Sequence, residues 1–140
     1  MKLGIFVGTD GRSELCESIG YMGSDIAKAG HSIICCNNST GLSKALIDGT
    51  LSAGGNVELI DKDKKHLIKE HCGALIFLPG GFEVLASLCT ILHEHQQGIY
   101  NNKPIAIYNI VGCYSNLYMQ FMLFNKMGID CKADFIYSRD

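Results

Sequence analysis

Six short apolar runs, separated by segments of helical period, leave this 140-residue chain few folds to choose from. They are KLGIFVG (2–8), HSIICC (31–36), NVELI (56–60), GALIFL (73–78), KPIAIYNI (103–110) and ADFIY (133–137). Each is nearly continuous rather than alternating, which is how a strand covered on both faces reads. Between the runs, apolar side chains return every three or four residues. Leu15, Ile19, Met22 and Ile26 form one such face, Leu85, Leu88, Cys89 and Leu92 a second, and Leu117, Phe121 and Phe124 a third. Gly30 and Gly128 stand where helices are expected to end. This alternation predicts one Rossmann-like α/β domain over residues 1–140. Its sheet is expected to be doubly wound and mostly parallel, with about six strands and helices on both faces.

Composition narrows the partners. At 47% hydrophobic and 19% charged residues the chain can bury a core. A net charge of −2 gives no electrostatic footprint for nucleic acid. No apolar run reaches the roughly 18 residues of a membrane span. The opening MKLGIFVGTD has too short an apolar stretch for a signal peptide and reads as the first strand, so a cytoplasmic location is expected. Seven cysteines include no C-x-x-C pair and mostly lie in apolar runs, where thiols serve as small hydrophobes. His93 and His95, two residues apart on a helix, point about 200° from each other and cannot share a metal. Neither a metal nor a cofactor is expected.

In doubly wound sheets, ligands sit beyond the carboxyl ends of the strands. The loops at that edge are GTDGR (8–12), CNNSTGL (36–42), the segment after Ile60, PGGFE (79–83) and NIVGCYS (109–115). Gly8 and Thr9 turn the first loop. Arg12 there either clamps a phosphate or carboxylate or stands solvated in a first helical turn. In the second loop Ser39 and Thr40 precede Gly41, as N-cap hydroxyls or as contacts to a ribose or phosphate. The lysine-rich DKDKKHLIKEH (61–71) is by default a solvated helix face, yet it brings Lys64 or Lys65 within reach of an anion. Pro79, Gly80 and Gly81 form a turn that bares backbone N–H groups at a helix start. Tyr114 and Tyr118 either stack on a base or pack into the fold.

Together these loops resemble the "lonely guy" phosphoribohydrolases, long described as lysine decarboxylases, within a wider group of Rossmann-like nucleotide binders. The resemblance runs through GIFVGTDGR, STGLSKALIDGTLSAGGNVELI, GALIFLPGGFEVLASLCTIL and NNKPIAIYNIVGCYSNLYMQFMLFNKMGI, nearly the whole chain. It implies a nucleoside 5′-monophosphate ligand, cleavage of its N-glycosidic bond, and a homodimer with sites near the subunit interface. It also exposes departures. Against the family's P-G-G-x-G-T-x-x-E signature, Pro79-Gly80-Gly81-Phe82 is followed by Glu83 for glycine, Val84 for threonine and Ser87 for the catalytic glutamate. The family's upstream arginine falls on Lys64, which keeps the charge and loses the bidentate fork.

An oxocarbenium-like sugar is stabilised by a carboxylate, and Ser87 has none to offer. Glu83 lies one helical turn earlier, placed to cap its own helix, to recognise a ligand hydroxyl or base, or to take over catalysis with Lys64. The expected function is therefore binding of a nucleotide or nucleotide derivative through Gly8, Thr9, Arg12, Ser39, Thr40, Gly41, Pro79, Gly80, Gly81, Phe82, Ser87 and Tyr114. The alternatives are an active N-glycosidase and, more weakly, a carrier of a pterin-type cofactor.

Overall fold

The computed structural model describes residues 1–38, 40–99 and 103–131, and the backbone of 136–138. Ser39 and residues 133–135 of the last predicted strand lie outside the described residues. In chain order the elements are β1 (Lys2–Phe6), α1 (Ser13–Lys28), β2 (Ser32–Cys36), α2 (Gly41–Ser52) and β3 (Val57–Ile60). A 3-10 turn at Lys62–Lys64 leads into α3 (His66–Glu70), followed by β4 (Ala74–Phe77), α4 (Phe82–Gln96) and β5 (Ile105–Tyr108). A second 3-10 turn at Ile110–Gly112 precedes α5 (Ser115–Lys126) and β6 (Ile136–Ser138).

The strands lie in the order β3-β2-β1-β4-β5-β6, and every pairing is parallel. The chain winds one way from β1 and the other way from β4, so its direction reverses between these two neighbours. That is the switch point at which a doubly wound sheet opens a crevice. The strands are shorter than the apolar runs, because the run ends peel off into the loops. Beyond the end of β1, Gly8 donates its N–H to the carbonyl of Pro79 at 2.9 Å.

Side-chain alternation along the strands feeds two cores. Leu3, Ile5, Ile33 and Cys35 pack with Ile19 and Ile26 of α1 and Leu42 and Leu46 of α2. On the opposite face Phe6, Ile34, Leu75, Phe77, Ile105 and Ile107 meet Ile68 of α3 and Val84, Leu88 and Ile91 of α4. Phe6 and Phe77, on adjacent strands, stack with ring centroids 4.9 Å apart. Burial on both faces explains why these strands carry almost no polar residues.

The cysteines divide more evenly than their apolar settings suggest. All seven are free; Cys35 and Cys72 are buried, whereas Cys89 and Cys113 are exposed. Desolvation pushes the Cys35 thiol up to about 12, which keeps it a neutral core group.

Candidate functional site

At the carboxyl edge of the sheet, three loops are locked together by backbone contacts. A Cβ on Gly8 would lie 2.7 Å from the Cα of Gly80, so only glycine lets the loop after β1 rest on the loop after β4. Gly41 has φ +58°, and a Cβ there would fall 1.6 Å from the carbonyl oxygen of Thr9. The N–H of Ser43, in the first turn of α2, donates to the carbonyl of Gly8 at 3.1 Å. Gly8, Thr9, Gly41, Pro79 and Gly80 are thus one interlocked assembly.

Three helix N-termini start from these loops. Arg12 is the N-cap of α1, Thr40 of α2 and Gly81 of α4, and none makes a side-chain capping hydrogen bond. The Thr40 hydroxyl therefore does not take the N-cap bond that its position allows. Uncapped N-termini leave backbone donors and a partial positive charge directed at the crevice, a suitable arrangement for an anion. Arg12 is exposed beside them. A Cβ on Gly81 would meet nothing within 4 Å, so this glycine borders open space. Phe82 next to it is 90% exposed.

Two adjoining cavities flank α4, one of about 160 Å³ against α3 and one of about 20 Å³ against the ends of β1 and β2. Phe6, Lys65 and Ser87 line both. His66, Lys69, Thr90 and Ile91 complete much of the larger one, while Cys36, Asn38 and Glu83 reach the smaller. Ser87 is only 9% exposed and sits on the buried side of α4. Lys69 is committed to Glu94, which it meets at 2.9 Å.

Several predicted residues occupy different positions from those expected. Lys64 ends the 3-10 turn and is exposed, and it is Lys65 that faces the cavities. Glu83 makes no hydrogen bond or ion pair among the described residues, so it does not cap its helix. Tyr114 is not available to stack on a base: it is 3% exposed, and its hydroxyl donates to the carbonyl of Leu78 at 2.6 Å. Its own N–H is held at 2.6 Å by the side-chain oxygen of Asn109, whose amide nitrogen donates to Ser115. Burial pushes the Tyr114 phenol upward, so it stays a neutral donor. This residue fixes the carbonyl immediately before Pro79 and thereby the turn itself.

Cys36 and Asn38, at and just beyond the end of β2, and Phe6 of β1 were not singled out in the sequence. The Cys36 thiol is raised by desolvation and then by the charge of Glu83, with Lys65 and Lys62 opposing. Glu83 and the two lysines therefore act on a common point at the end of β2.

Comparison with known proteins gives partial matches. No family model matches the chain. Over 59 residues it is 37% identical to a protein of Oryza sativa subsp. japonica named "Probable cytokinin riboside 5′-monophosphate phosphoribohydrolase LOG4". The match takes in 42% of this chain and a quarter (25%) of that relative's length. Among solved structures, a molybdenum cofactor carrier protein from Chlamydomonas reinhardtii superposes with a TM-score of 0.73 at 14% identity. A second structure of the Chlamydomonas carrier gives 0.64 at 12%, and each match spans 99% of this chain and 89% of the other. At such identities the structural likeness establishes the fold.

Proposed function

We propose that this chain is a divergent relative of the lonely-guy phosphoribohydrolases that binds a phosphorylated nucleotide or nucleotide derivative without cleaving it. The observation that carries the reading is the pairing of an intact anion cradle with a hydroxyl where hydrolysis needs a carboxylate. Three uncapped helix N-termini and the interlocked glycine loops supply the cradle. In the cleft, the helix position corresponding to the family's catalytic glutamate is Ser87, beside Lys65. Helix dipoles and Arg12 can neutralise a bound phosphate, but Ser87 cannot stabilise an oxocarbenium ion. Carriage of a pterin-type cofactor is the second reading, favoured by the cofactor carrier whose fold extends over almost all of this chain.

Incubating concentrated protein with nucleoside 5′-monophosphates, and following both calorimetric heat and released base, tests the reading. Saturable binding with no free base is the expected result. Base release that disappears in Glu83→Gln would make the protein an N-glycosidase instead.

The same reading includes a homodimer. Helix α5 buries none of its residues, although it carries Met119, Met122 and Leu123 exposed, and Met127 and Ile129 continue the patch. Contiguous apolar surface of this kind marks an interaction site. Sedimentation equilibrium should return twice the 15.3 kDa chain mass, falling to one chain in Leu123→Glu. A wild-type monomer at tens of micromolar would remove the dimer from the proposal.

A further inference from the structure

Glu83 and Lys65 face one small cavity together with Asn38, and neither charge is spent on the protein. No hydrogen bond or ion pair is formed by either side chain among the described residues, and they do not pair with each other. Cys36, at the carboxyl end of β2, lines the same cavity, and the two charges act on its thiol with opposite sign. A carboxylate can only accept hydrogen bonds, an ammonium can only donate them, and the Asn38 amide does both. Such a pocket disfavours a bare phosphate, which Glu83 repels, and a cation, which Lys65 repels. It suits a neutral ring edge with adjacent N–H donors on one side and a carbonyl on the other.

Building on the binding reading above, we propose that Glu83 and Lys65 select a ligand ring with a 2-amino-4-oxo-pyrimidine edge. That pattern is shared by guanine, with its 2-amino, N1–H and O6 groups, and by pterins, with 2-amino, N3–H and O4. The carboxylate takes both N–H groups in a bidentate, charge-assisted pair, and the ammonium takes the carbonyl. Adenine presents a ring-nitrogen acceptor toward the carboxylate, and hypoxanthine lacks the amino group; each leaves a polar group unpaired. A site built around hydrogen bonds rejects such analogues far more strongly than one built on apolar contact. The ring body has room in the adjoining cavity of about 160 Å³, against Phe6 and Ile91. The phosphate end is left to the helix N-termini at Arg12, Thr40 and Gly81.

Isothermal titration of the full chain with GMP, IMP and AMP, and separately with pterin and lumazine, tests this. Lumazine is pterin with a second carbonyl in place of the amino group. At least tenfold tighter binding of GMP over IMP and AMP, or of pterin over lumazine, is expected, and the pair that shows it identifies the source of the ring. Glu83→Gln should bring that preference below about threefold. Because Glu83 is exposed and unbonded, the variant should fold as the wild type does. Equal affinity within each pair, or a preference that persists in Glu83→Gln, overturns the assignment and leaves the nucleotide-site reading standing. Absence of binding by all five compounds overturns that reading, and this one with it.

Discussion

Replacing Gly41 with alanine is expected to destabilise the fold by about 3 kcal/mol, from two sources that act at one atom. The φ of +58° is a left-handed conformation that costs an L-residue roughly 1–2 kcal/mol. The new methyl would also lie 1.6 Å from the carbonyl oxygen of Thr9, closer than any side chain can tolerate. Backbone must move, and the backbone available is the loop after β1, already held by the Gly8–Pro79 and Ser43–Gly8 hydrogen bonds. Overpacking against so fixed a neighbour adds another roughly 1–3 kcal/mol. For a chain of this size, 3 kcal/mol lowers the melting temperature by about 10 °C. Gly30→Ala is the matching control: its φ is +85°, but nothing lies within 4 Å of the new methyl, so only conformational strain remains. Denaturant titration of the two variants should separate them by 1.5 kcal/mol or more. Equal losses would mean that Thr9 and Gly41 are not interlocked as described.

The fold was legible because its central strands, β1, β2, β4 and β5, are covered on both faces, and so each appears as a nearly continuous apolar run. The edge that carries the candidate site could be read in the same way: the apolar runs end in polar or glycine-bearing loops. Rotation about a helix axis was harder to read. A gapless alignment puts the family's basic residue on Lys64, but the chain enters α3 through a 3-10 turn, which advances each residue by about 120°. One residue further on, Lys65 is the side chain that faces the cavities.

Tyr114 shows a second limit. Its apolar ring and polar tip fit stacking and packing equally well in sequence. Only the fold brings the Leu78 carbonyl, 36 residues earlier, to its hydroxyl. Likewise Cys36, Lys65 and Glu83 lie far apart along the chain, and parallel crossovers alone bring their loops to one edge. Nothing in the sequence signalled that Val111, a β-branched residue, would adopt φ 49° in the loop after β5.

Gly81→Val should have the opposite profile from Gly41→Ala, losing ligand without losing the fold. Its φ of −85° is open to any L-residue, and the space around its Cβ position is empty to 4 Å. Valine therefore meets no protein atom close by, and the stability change is expected to stay within about 1 kcal/mol. The side chain would instead project at the N-terminus of α4, where the free N–H groups begin. A phosphate bound there needs its oxygens about 3 Å from those nitrogens, and an isopropyl group at the cap position blocks that approach. Affinity for the preferred nucleotide or pterin phosphate should fall at least a hundredfold, with an unchanged melting temperature as the internal control. If binding survives intact, the anion does not sit at α4, and the cradle reduces to the N-termini of α1 and α2 beside Arg12. The hundredfold loss would separate Gly41 and Gly81, both read from sequence as ligand-binding residues, by physical cause. One is glycine because the protein's own backbone occupies the space, the other because a ligand does.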